Sequence, residues 1–156
     1  MKKNIITFVK LGTLIAVLET SAPAQAEMSG NWIGPSLAST NSNGLGFGVD
    51  SKFGITNNIS IRPFAYFPSN GTTFGSAFTY DINLTTRNRF RIDPFVGAYV
   101  STTGGNNSQS VFGFVAGSDF PLSDSFALKA SLRVPLNSDS KSTQNAGVNL
   151  GAGIRF

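Results

Sequence analysis

Few residues in this chain could do acid–base or nucleophilic chemistry, because its 156 positions include no histidine and no cysteine. Without an imidazole no Ser-His-Asp relay can be assembled, and a metal site built on histidine or cysteine is equally out of reach. Carboxylates remain, and Asp81 and Asp93 are conceivable as a pair. Beside arginine, however, such groups are more often partners in ion pairs than acids or bases. The stretch "GLGFGVD" (Gly44 to Asp50) has the glycines of a phosphate loop. It lacks the Lys-Ser/Thr and the following helix that such a loop needs. The expectation is a chain with no catalytic, cofactor-binding or metal site, and not an enzyme.

The elements that carry the charges begin after a segment to be set aside. Lys2, Lys3 and Lys10 precede a short apolar run, "LGTLIAVL" (Leu11 to Leu18), and "AQA" (Ala24 to Ala26) offers a small-residue cleavage site. This is the pattern of a secretory signal peptide. The run is too short for a membrane-spanning helix, which needs about 20 apolar residues. Residues 1–26 are therefore expected to direct export through the inner membrane, and residues 27–156 to form one domain. With Lys2, Lys3, Lys10 and Glu19 removed from the twelve basic and eight acidic residues, nine and seven remain. So slight an excess is no argument for nucleic acid as a partner. The lack of cysteine disfavours a small disulfide scaffold, while a mean hydropathy of +0.04 with few charges is unusual for a water-soluble domain of this size.

Beyond Ala26 no helical period of useful length appears, and period-2 alternation dominates. Strands are expected over Leu45 to Ile55, Ile59 to Phe67, Phe74 to Leu84, Phe90 to Val100, Gln109 to Phe120, Phe126 to Leu136 and Gln144 to Phe156, with a weaker one over Asn31 to Ser39. Eight strands of around ten residues match tilted strands crossing a bilayer. Short connections at 56–58, 85–88 and 121–125 alternate with polar, mostly longer ones at 40–44, 68–72, 102–108 and 137–143. Such alternation predicts an up-and-down meander, an all-β antiparallel barrel.

One strand face is apolar. The other carries Asp50, Lys52, Arg62, Asp81, Arg91, Asp93, Asp119, Lys129, Arg133 and Arg155, ten of the sixteen charges after residue 26. None of the remaining six falls on the apolar face, as expected if that face meets lipid, where a Lys or Arg near the midplane costs about 2–4 kcal/mol. The charged face is also rich in glycine, which suits a narrow interior filled by long side chains. The ten charges are expected to form a mostly paired network in that lumen. Phe53, Phe90, Phe120 and Phe126 fall near the short turns and Phe67, Phe74 and Phe112 near the other end, the placement of interfacial aromatic belts. Pro63 and Pro94, in "IRPF" and "IDPF", each remove a ladder donor in mid-strand. A bulge at each would shift the face of Phe64, Tyr66, Phe95 and Tyr99.

The final strand, "GVNLGAGIRF" (Gly147 to Phe156), alternates Val148, Leu150, Ala152, Ile154 and Phe156 with Gly, Asn and Arg. With the leader, the strand count and the alternating connections, this ending resembles the small eight-stranded outer-membrane barrels. That family contains the transmembrane domain of outer membrane protein A and the outer membrane protein X type. The resemblance spans Asn31 to Phe156. It implies a closed transmembrane barrel in the outer membrane, with outer-membrane lipid around it. It also implies that Val148, Leu150, Ile154 and Phe156 act as an insertion signal read by the barrel assembly machinery. Three roles stay open: a structural or interaction barrel at the cell surface with a filled lumen, a narrow porin-type diffusion channel, and a soluble exported ligand-binding barrel with its apolar face turned inward. The connecting loops are short, mostly uncharged and lack large aromatics, so they point to no particular surface partner.

Overall fold

The computed structural model describes residues 30–40, 44–69, 71–82, 84, 91–104, 109–136 and 146–156. The leader, Phe90 and most of the 82–92 and 136–146 connections lie outside them. Eight strands follow in chain order: β1 (Trp32–Thr40), β2 (Gly44–Gly54), β3 (Ile59–Phe67), β4 (Thr72–Asp81), β5 (Asp93–Gly104), β6 (Gln109–Ser123), β7 (Phe126–Pro135) and β8 (Gly147–Arg155). Each pairs antiparallel with its neighbour, and β8 pairs back onto β1 to close a barrel. Closure removes both sheet edges, so the backbone donors and acceptors of the wall are met within the wall.

The strands differ in extent from those expected. The ladder of β4 ends at Asp81, with Leu84 and Ile92 joined by an isolated bridge, and β5 starts at Asp93 and runs on to Gly104. The expected short connection at 85–88 and the longer one at 137–143 lie outside the described residues, and the Leu84–Ile92 bridge keeps the register of Asp81↔Phe95. The end of the barrel that carries the start of β1 has connections at 55–58, 82–92 and 124–125, and the far end has 41–43, 68–71, 105–108 and 136–146. Polar composition at strand ends showed where the chain turns but not how far the pairing continues.

Neither Pro63 nor Pro94 is bulged. The β2–β3 pairing passes from Asp50↔Phe64 to Phe53↔Ile61 without a change of register, and the Ser51 hydroxyl donates to the Pro63 carbonyl at 3.0 Å. Pro94 lies beyond the last residue of β4, where its carbonyl accepts from the Ile82 N–H at 2.7 Å, so the missing donor falls past the end of that ladder. The β1–β8 seam skips in the same way at Pro35, between Ile33↔Ile154 and Ser36↔Gly151. A register shift does occur at another proline, between Pro121 and Ser123 beside the β6–β7 turn.

Because register is kept, Phe64, Tyr66, Phe95 and Tyr99 stay on the charged face and are buried inside the barrel, joined there by Trp32. Glycines make the room. Across the ladders Tyr66 faces Gly48, Phe64 faces Gly75, Tyr99 faces Gly113 and Phe95 faces Gly117. The Trp32 ring lies against Gly153. An interior glycine weakens a strand unless a neighbouring ring covers it. A Cβ at Gly113 would stand 2.7 Å from Tyr99 Cε1 and closer still to the Val134 carbonyl oxygen. Gly113→Ala is therefore expected to destabilise the barrel by about 1–3 kcal/mol, measured by urea titration after refolding into lipid vesicles. Adding Tyr99→Ala should not restore it, since the carbonyl stays in place; full recovery would show that the ring is the sole obstacle.

The outer surface is the inverse of a soluble protein's. Large apolar side chains on the outward positions of the strands are exposed, Phe47 at 70% and Ile154 at 66% among them. Among the described residues no charged side chain lies on this face; Asp124 sits in a turn and Arg91 precedes β5. So large a continuous apolar surface marks contact with lipid or with another protein.

Candidate functional site

Inward charges from five strands meet in the lumen in two layers. In the first, β2 supplies Lys52, β3 Arg62, β4 Asp81 and β6 Asp119, all buried. The Lys52 ammonium is 2.9 Å from Asp81 Oδ2 and 3.2 Å from Asp119 Oδ2. Arg62 donates from Nη2 to Asp81 Oδ1 at 2.8 Å, and from Nη1 and Nη2 to the two oxygens of Asp119 at 3.0 and 2.9 Å. Its Nε donates to Thr79 Oγ1 at 2.9 Å, and Ser60 donates to the Asp81 carboxylate. The guanidinium lies 3.7 Å from the centroid of the Phe95 ring, which itself rests on Gly117. Two cations thus face two carboxylates with their hydrogen-bonding capacity largely used, as a buried ionic group requires.

The second layer lies nearer the far end. Asp50 of β2 accepts from the Tyr66 hydroxyl at 2.8 Å and is 3.1 Å from Lys129 Nζ and 3.6 Å from Arg133 Nη2, both on β7. Arg133 Nη2 and Asn149 Nδ2 donate to the Tyr66 oxygen at 2.8 and 3.0 Å. The Arg133 guanidinium stacks 3.7 Å above Phe64, and the Phe64 and Tyr66 rings stack on each other at 5.2 Å.

These contacts span the barrel. In a closed ring of eight strands β2 lies opposite β6 and β3 opposite β7. Lys52 to Asp119 and Arg133 to Tyr66 are thus direct diametric bridges. Eight strands leave an interior just wide enough for side chains to fill.

Of the ten charges predicted to line the lumen, the structure brings seven into these layers. Asp93 is buried close by and accepts from Arg91 Nε at 2.8 Å. Arg91 itself is 49% exposed, at the end of the barrel rather than within it. Arg155 is half-buried at the same end, where its Nη1 donates to the Ser123 carbonyl at 2.9 Å. Asp81 and Asp93, the conceivable acid–base pair, each have a basic partner. Sequence reasoning left the face of Tyr66 open and passed over Asn149, Thr79, Trp32 and Ser36. The signal that could have settled Tyr66 is the glycine opposite it, Gly48.

Of the predicted belt aromatics, Phe67, Phe74, Phe112 and Phe126 are exposed on the outer surface, while Phe53 and Phe120 are half-buried. Phe47, Phe78, Tyr80 and Phe114 add to that surface. Val148, Leu150, Ile154 and Phe156 all face outward. Phe156 reaches past the start of β1 to meet Phe53 edge to face at 6.4 Å, and its N–H donates to the Asn31 carbonyl.

No protein-family model matches the sequence, and no curated protein does. Solved structures share the architecture. A transmembrane β-barrel designed de novo superposes with a TM-score of 0.64 at 10% identity, over 83% of this chain and 98% of that one. The N-terminal β-barrel domain of OprF from Pseudomonas aeruginosa superposes with a TM-score of 0.57 at 14% identity, over 83% and 98%. The fold is therefore an all-β, closed, up-and-down antiparallel barrel of the transmembrane type.

Proposed function

We propose that this protein is an outer-membrane barrel whose lumen is closed by side chains, with a structural or surface-interaction role and no enzymatic one. The observation that carries the reading is the pair of diametric bridges, Lys52 to Asp119 and Arg133 to Tyr66, backed by rings resting on glycines. A diffusion channel needs a continuous water path, and two bridged layers oppose one. A soluble ligand-binding barrel needs an apolar interior, whereas here the interior holds the charges and the exterior the large hydrophobics. Outer-membrane placement is supported by that exterior and by the barrel architecture shared with OprF. In this reading the end holding the start of β1 faces the periplasm. The outward row Val148, Leu150, Ile154 and Phe156 is the surface offered to the assembly machinery during insertion.

The test begins with localisation: the protein is expressed with its leader, inner and outer membranes are separated, and the outer fraction is run on a gel unheated and heated. A heat-modifiable band in the outer membrane is expected. The purified barrel in planar bilayers should then show no steady single-channel conductance. Regular ohmic steps would support a porin-type channel instead, and recovery from the soluble periplasm would overturn the membrane reading.

A further inference from the structure

The wall of the barrel is not fastened equally all round. The β1–β8 ladder passes from Ile33↔Ile154 to Ser36↔Gly151 with nothing paired between, and the β2–β3 ladder passes in the same way from Asp50↔Phe64 to Phe53↔Ile61. The other ladders run through the middle of their strands without a gap, and the irregularity between β6 and β7 falls at their turn. Both gaps belong to prolines. Pro35 keeps its place opposite Val49 of β2, and Pro63 its place opposite Ser76 of β4. The backbone donor that each lacks is therefore missing on the other side, towards β8 and towards β2 respectively.

The two gaps flank one pair of strands. An unbroken ladder from Trp32↔Lys52 to Thr40↔Gly44 joins β1 to β2, and an interrupted ladder bounds this pair on either side. The gaps also lie at one height, because Gly34 and Pro35 in the first face Asp50 and Val49, next to Ser51 and Lys52 in the second. Gly34 falls opposite Gly153, so no pair of side chains strengthens the first gap across the strands. Polar side chains do the fastening instead. Ser51 Oγ donates to the Pro63 carbonyl across the second gap at 3.0 Å, and Asn149 Nδ2 donates to the Leu37 carbonyl beside the first at 3.3 Å. From β2, Asp50 reaches Tyr66, Lys129 and Arg133, while Lys52 reaches Asp81 and Asp119. A segment well paired within itself and weakly paired to its neighbours is the kind that opens as a unit below global unfolding.

We propose that β1 and β2 are the movable part of the wall. They part from β8 and β3 as one unit while the other six strands stay paired, and Asp50 and Lys52 are the latches that hold them shut. This goes beyond a lumen closed by side chains, since the charges that fill the interior also decide whether the wall opens sideways.

Amide hydrogen exchange of the full barrel in lipid nanodiscs, resolved residue by residue by NMR and compared between strands at equal depth, tests this. Ladder amides of β1 and β2 should exchange about tenfold or more faster than those of β5 and β6. Asp50→Asn releases a latch and should speed exchange in both β1 and β2 by about tenfold or more. Ser51→Ala, a milder change, should speed it by about threefold. Gly113→Ala strains contacts with Tyr99 and Val134, inside the six strands that stay paired. It should speed exchange in β5 and β6 and leave β1 and β2 unchanged, because the strain is the same whether the wall is shut or open. Equal rates in all strands would overturn the proposal, as would fast exchange in β1 without β2, which is the fraying of a single strand. So would a Gly113→Ala effect as large in β1 and β2 as in β5 and β6, which would mean that they open only by global unfolding. If Asp50→Asn fails to fold, Ser51→Ala decides, and no change there overturns the latched opening.

Discussion

Arg62→Met is expected to lower the unfolding free energy of the barrel by about 3–5 kcal/mol, the range found when one partner of a buried ionic group is removed. The size follows from what stays behind. Arg62 supplies three of the charge-assisted contacts to Asp81 and Asp119, and among the described residues Lys52 remains in ion-pair contact with both carboxylates. The side chain also covers Phe95, so the methionine is chosen to keep apolar bulk there. Pairing Arg62→Met with Asp119→Asn removes one charge of each sign and should cost less than the sum of the two single changes. Urea titration in lipid vesicles, read by the unheated gel mobility of the folded form, measures all three. A loss for Arg62→Met below about 1 kcal/mol, the range of solvent-exposed pairs, would mean that the first layer is wet and the lumen is not closed there.

Val49→Arg should cost about 2–4 kcal/mol, whereas Ile55→Arg should cost about 0–1 kcal/mol. Val49 is an exposed outward residue at the middle of β2, and Ile55 is an exposed residue just past its end. In lipid the first places a guanidinium near the midplane and the second leaves it at the interface. In water both positions are simply exposed, and the two substitutions should be equally mild. The difference between them, measured by the same titration, therefore reads the environment of the outer wall. Equal small effects would remove the bilayer from the account.

The sequence made the two faces legible because side-chain direction in a strand has period two and the lipid cost of charge is large. Every charged strand residue among those described falls on one side, and the alternation survives Pro35, Pro63 and Pro94 because none of them shifts the register of its ladders. Bulging was the wrong remedy to expect at Pro63 and Pro94: at the first the pairing simply skips, and at the second the ladder to β4 has already ended. The four inward aromatics were ambiguous for a different reason. Phenylalanine and tyrosine fit a lipid-facing wall as well as a packed interior, so composition did not settle their side; their register against glycines did. Partners across the lumen were not legible at all. That Arg133 meets Tyr66, 67 positions away, depends on the stagger of strands around a closed ring, which is not written in any local pattern.

The glycines opposite the inner rings have a consequence for how the wall selects one pairing among several. Sliding any strand by two residues keeps every side chain on its own face, so the contrast between apolar and charged faces cannot reject such a slip. What rejects it is shape. A two-residue slip of β5 against β6 would bring Tyr99 opposite Val111 or Val115 in place of Gly113, and carry Phe95 off Gly117 in the same movement. The notches at Gly48 and Gly75 check β2 against β3 and β3 against β4 likewise. The inner rings thus act as keys cut for single positions, and the fidelity of assembly rests on residues that bear no charge and touch no lipid.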